Sequence, residues 1–211
     1  MPKLIRAGLR VAICEQLEDP KMTNTIVKRG ITEIITPGVT FSDNTLDQKK
    51  NNFLASIFVV SDIVGAAFID VTTGDFFCVE ANKDVIKNLI NTYKPSEIIY
   101  DKPQKHIIDE IIDSSFYTYS AQDWMFVFEN AYQRLLKQFE TVNLKGYGIE
   151  YQQLAIIAAG SVLSYVDQTQ HTDLKHINSI QKIDINSFLI LDKFTTRNLE
   201  IFSSLHPEGK S

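Results

Sequence analysis

The sequence predicts an α/β fold: a mixed sheet with helices packed on it, flanked on both sides by partial domains. Three observations lead there. Three apolar strand patterns follow one another, with a tight turn between the second and third. Strand and helix patterns then alternate, and the composition shifts near residue 42 and again near residue 171.

Lys3 to Ala7 is helix-like and stops at Gly8, a residue suited to a helix C-terminus. Val11 to Cys14 and Ile31 to Thr36 are expected as strands, the second ended by Pro37-Gly38. Phe41 to Asn52 is polar and linker-like. Beyond it Leu54 to Val60, Ile63 to Val71 and Phe76 to Glu80 are expected strands, with Thr73-Gly74-Asp75 as a hairpin turn. Val85, Ile86, Leu89, Ile90 and Tyr93 recur at helical spacing, and Lys94-Pro95 ends that helix. Glu97 to Tyr100 is a short strand, Ile107 to Ile112 a helix, and Phe116 to Tyr119 another short strand. An antiparallel hairpin plus parallel strands is the pattern of a ribonuclease-H-like mixed sheet.

Phe128, Ala131, Tyr132, Leu135, Leu136 and Phe139 then form one apolar stripe, so a helix running to Glu140 is expected to bury that face. Its other face carries Glu129, Asn130, Gln133, Arg134, Lys137 and Glu140. Leu154 to Val166 is apolar on nearly all sides, which requires contact with several elements. From His171 onward an alternating strand pair around Asn186-Ser187 and a helix capped by Asp192 mark the start of another unit. Its Leu199, Ile201, Phe202 and Leu205 need burial. These readings divide the chain into 1–42, 43–170 and 171–211.

Hydrophobic residues make up 44% of the 211 and charged residues 22%, enough apolar surface for a packed core. The longest apolar runs fall far short of the roughly 20 residues of a membrane-spanning helix. Cys14 and Cys78 are separated by most of a domain, so neither a disulfide framework nor metal-ligand spacing is present, and a reducing cytoplasm is the expected location. Met1 to Ser42 holds six Lys or Arg against four Asp or Glu, a balance of +2 that leaves −7 for the rest of a chain whose total is −5. Phosphate binding favours clustered basic surface, so any DNA affinity is expected at the N-terminus.

The residues support no catalytic site. Gly209-Lys210-Ser211 resembles the end of a phosphate-binding loop, but Ser204 stands where its first glycine belongs and no strand precedes it, so no nucleotide cofactor is expected. Asp70 and Asp75 invite comparison with two-metal nucleases, the alternative reading. They bracket a turn, however, and Leu54 to Val60 offers no carboxylate on the first strand. His106, His171, His176 and His206 are scattered, with no helical metal spacing. Catalytic, cofactor and metal residues are therefore expected to be absent. Trp124, beside Met125 and Phe126, is either an interface anchor or core.

Four stretches in order resemble the MutS family of DNA mismatch-repair ATPases. Gly8 to Pro20 (GLRVAICEQLEDP) is similar to the end of the mismatch-recognition domain. Val27-Lys-Arg with Ile34-Ile-Thr-Pro-Gly38 is similar to its closing strand, with Val39 where Thr is common. Asp70 to Phe76 (DVTTGDF) resembles the first hairpin of the connector domain. Leu191 to Glu200 (LDKFTTRNLE) resembles the start of the core and lever domain, Thr196 replacing a frequent basic residue. The resemblance implies a parent that binds mismatched DNA, uses ATP or ADP with magnesium, forms a homodimer and recruits MutL. It also implies that the mismatch-inserting Phe-x-Glu motif and the ATPase lie outside this sequence. The connector would be ribonuclease-H-like and noncatalytic. Part of the MutL contact belongs to that domain, and by position Gln133, Arg134 and Lys137 are the expected contact residues.

Overall fold

The computed structural model describes residues 2–18, 26–39, 51–169 and 174–185, with the single positions 195 and 198. A five-residue helix, α1 (Pro2–Arg6), leads into an antiparallel pair, β1 (Val11–Gln16) and β2 (Arg29–Ile35). Both strands run longer than their apolar cores, because the polar Glu15, Gln16, Arg29 and Gly30 still pair across the ladder.

The body is a six-stranded mixed sheet. β3 (Phe53–Val60), β4 (Ile63–Asp70) and β5 (Phe76–Asn82) form an antiparallel meander. β6 (Glu97–Asp101) lies parallel to β3, and β7 (Thr118–Ala121) parallel to β6. A two-residue β8 (Gln181–Lys182) runs parallel to β5, giving the order β7-β6-β3-β4-β5-β8.

Alternation along β3 assigns the two faces. Phe53, Ala55, Ile57 and Val59 join the cluster under α2 (Lys83–Tyr93) and α3 (Lys105–Ile111), where Tyr93 packs among Phe53, Phe68 and Phe77. Leu54 belongs to the cluster on the opposite face, formed with α4 (Phe128–Gln138) and α5 (Gln153–Thr169). α5 is the nearly all-apolar segment of the sequence. It packs on β3, β4 and β5 below and on α4 above, which is why every position from Ala155 to Val166 is buried. Gly160 makes the upper contact possible, since a Cβ there would lie 2.3 Å from the Ala131 Cα.

Several boundaries differ from expectation for identifiable reasons. The strand expected at Phe116 to Tyr119 starts two residues later, because the Phe116 amide donates to the Asp113 carbonyl in a turn. α3 stops before Ile112, whose ψ of 127° is extended. α4 ends before Glu140, which takes a left-handed φ of 50°. Of the strand pair expected around Asn186-Ser187, the described residues contain only β8; its second half, the Asp192 cap, Leu199 to Leu205 and Gly209 to Ser211 lie outside them. Leu174, Ile177, Ile180 and Ile183 are buried against the sheet and its helices, so this part of the 171–211 stretch shares the body's core.

Candidate partner-binding surface

The carboxylates that suggested a nuclease are engaged in the hairpin. Asp70 is buried, and its Oδ1 accepts the amides of Thr72 and Thr73 while Oδ2 accepts that of Asn52 at 2.9 Å. Asp75 accepts the Thr73 hydroxyl at 3.0 Å and the Asn51 side-chain amide at 3.2 Å. On the first strand of the body Ser56 points at α5, its hydroxyl 2.7 Å from that of Ser161 and both fully buried. α5 thus covers the face of β3 that carries Ser56.

No cluster of three or more His, Cys, Asp or Glu suited to a metal occurs among the described residues. His106 is exposed on α3, His176 binds the Val71 carbonyl at 2.7 Å, and His171 and His206 lie outside the described residues. Cys14 is exposed and Cys78 buried, where desolvation pushes its thiol up to about 12. No helix among the described residues is long and apolar enough to cross a membrane.

α4 brings the three expected contact residues onto one side. Gln133 is exposed and donates to Glu129 at 3.0 Å, one turn earlier. Lys137 is exposed and lines a groove of about 720 Å³ with Arg134, Gln138, Glu140, Asp167 and Lys175. Arg134 behaves differently. Its guanidinium grips Asp167 of α5 through two hydrogen bonds, of 2.6 and 2.9 Å, and reaches Gln138 at 3.0 Å, leaving the side chain 17% exposed. Much of its charge therefore serves the α4–α5 contact. Gln138 closes the groove floor by donating to the carbonyls of Leu174 and Ile177.

The Trp124 segment divides between surface and core. It forms a 3-10 turn (Asp123–Phe126) that buries Met125 and Phe126 and leaves Trp124 45% exposed. Gln122 holds the indole N–H on its Oε1, which also accepts from Gln168 at 3.1 Å, and the Trp124 carbonyl accepts from Asn130 at 2.8 Å. A half-exposed, hydrogen-bonded tryptophan beside exposed Val127 borders the polar face of α4.

Sequence reasoning missed a second polar group, buried where the β1–β2 hairpin meets the body. Glu97 of β6 is only 2% exposed, accepting the Gly38 amide at 3.1 Å and the Tyr165 hydroxyl at 2.6 Å. The short pattern Glu97-Ile-Ile-Tyr100 gives no sign of a buried carboxylate, since a leading Glu reads as a strand end facing water.

Comparison with known proteins places this architecture. The family model for MutS domain II matches residues 52–178, and that for MutS domain I matches residues 1–44. Over all 211 residues the chain is 47% identical to the DNA mismatch repair protein MutS of Parabacteroides distasonis and 46% identical to that of Bacteroides fragilis. Over 209 residues it is 46% identical to the DNA mismatch repair protein MutS of Flavobacterium psychrophilum. It covers 24% of the length of each of these relatives.

Proposed function

Because the chain belongs to the MutS family, we propose that it is the connector segment of a longer DNA mismatch-repair protein, linking mismatch recognition to an ATP-driven lever. The domain II match over 52–178 carries this reading, since it covers five strands of the sheet, all but the two-residue β8, and the helices α2 to α5. In this reading 1–42 ends the mismatch-recognition domain, 43–170 is the connector, and 171–211 begins the core and lever domain, with Leu174, Ile177, Ile180 and Ile183 packed into the connector's core. The strand order, an antiparallel meander extended on the β3 side by parallel β6 and β7, supports a ribonuclease-H-like assignment.

The segment performs no catalysis. The nuclease alternative is not favoured, because Asp70 and Asp75 are occupied by the hairpin and α5 covers Ser56. Mismatched DNA, ATP with magnesium and a second subunit would engage the longer, cytoplasmic protein through its other domains. MutL would dock on the outer side of α4, with Gln133 and Lys137 as direct contacts and Arg134 positioning the helix through Asp167.

Lys137→Glu in the longer protein tests this surface. Recruitment of MutL to mismatched DNA should fall several-fold, while mismatch binding stays near the parent value. Unchanged recruitment would take α4 out of the contact.

A further inference from the structure

The N-terminal hairpin touches the body through a compact joint. At one end the Tyr117 ring packs over Gly8, leaving no room for a side chain there. Next to it the Arg10 guanidinium stacks 3.7 Å above the Tyr119 ring centroid and lies 5.5 Å from that of Tyr165. At the other end Gly38 presses on the sheet: a Cβ at this position would lie 2.9 Å from the Glu97 Cβ and 2.9 Å from a Leu54 methyl. This close approach brings the Gly38 amide to one oxygen of Glu97, and the other oxygen takes the Tyr165 hydroxyl of α5. Burial, and then the charge of Glu97, hold the Tyr165 hydroxyl protonated well above its ordinary range, so it is a permanent donor.

A buried carboxylate is costly unless its oxygens are satisfied. Here the two satisfying donors come from different units, the loop after β2 and a helix of the body. Separating hairpin and sheet would strand the Gly38 amide and half of Glu97 together, so the two separate as a unit or not at all.

We propose that Glu97, bridging Gly38 and Tyr165, is a latch that fixes the hairpin's orientation on the sheet, making the two one rigid body through which motion passes to β6 and α5.

Spin labels test the latch in this 211-residue chain. One goes on Cys14, exposed on β1, and one on Val142→Cys, at an 87% exposed position beyond α4; Cys78 is buried and should not label. Distances are measured with the latch intact, with Tyr165→Phe, with Glu97→Ala and with both changes. The intact chain should give one narrow distance distribution. Glu97→Ala removes the bond to Gly38 and should broaden it at least twofold, Tyr165→Phe frees Glu97 but leaves that bond and should broaden it less, and the double change should add little to Glu97→Ala. Amide exchange of the β3–β4 ladder reports whether the body stays folded. If Glu97→Ala unfolds it, the milder Tyr165→Phe decides alone. A distribution already broad in the intact chain, or one unchanged by Glu97→Ala with β3–β4 protected (by Tyr165→Phe, should Glu97→Ala unfold the body), would overturn the proposal.

Discussion

Asp70 shows how a single carboxylate can hold a turn. The backbone after β4 must reverse within five residues, and Gly74 and Asp75 close it by hydrogen-bonding the Asp70 carbonyl and amide at 2.9 and 2.8 Å. That leaves the amides of Thr72, Thr73 and Asn52 without ladder partners, and the Asp70 side chain accepts all three. An unsatisfied buried donor costs about 1 to 3 kcal/mol, and solvent can reach some of these groups. Asp70→Ala should therefore lower stability by about 2 kcal/mol, seen as a lower urea midpoint at unchanged slope, while Asp70→Asn keeps one acceptor oxygen and loses less. A midpoint equal to that of the parent would mean that water satisfies the turn equally well. At this scale the sequence was legible where residue type has a local meaning. Asp75 beside Gly74 reads as a turn from chemistry alone. Glu97 and Ser56 were not legible, because their partners Tyr165 and Ser161 are 68 and 105 residues away.

Among the elements, α5 does most to organise the body, and its apolar sequence anticipates this without revealing the order of the layers. It buries one side against three strands and the other against α4, and the α4 contact depends on Gly160. A methyl group at Gly160 would meet the Ala131 backbone, with the Ala131 Cβ at 2.5 Å and carbonyl oxygen at 2.6 Å, neither a flexible tip that can swing aside. Glycine inside a helix costs up to about 1 kcal/mol relative to alanine, so Gly160→Ala gains that propensity and then loses more by forcing the helices apart. The net should be a loss on the order of 1 to 2 kcal/mol, with a lower midpoint in thermal denaturation. Stabilisation would show that the α4–α5 contact relaxes freely. Pushing α4 outward should also lengthen the Arg134–Asp167 pair, now 2.6 Å at its shorter bond, so this substitution disturbs the proposed docking face from beneath. The helical periodicity of α4 identified its buried stripe. It did not separate Lys137, which faces solvent, from Arg134, which is held by a neighbouring helix, because periodicity assigns a face and says nothing about what stands beside it.

For the molecule as a whole, charge and architecture argue together about DNA. The mixed sheet is buried on both faces by helices, so it offers no open β-surface to a duplex. Net charge is −5, and the basic excess of +2 is confined to the first 42 residues. Even there the charges are partly used: Lys28 lies 3.7 Å from Glu18, and Arg10 is stacked on Tyr119. Affinity for duplex DNA rises with the number of phosphates neutralised, and each contact adds about 0.9 to the salt slope. So small a basic excess beside an acidic body should therefore give this chain only weak binding, with dissociation constants on the order of 10⁻⁴ M or weaker near physiological salt. Binding should also be indifferent to a mismatch. Fluorescence anisotropy with matched and G·T-mismatched duplexes checks both points. Micromolar affinity, or a severalfold preference for the mismatch, would mean that the hairpin and its basic residues read DNA directly, and the segment could no longer be regarded as one that receives motion from a recognition site elsewhere.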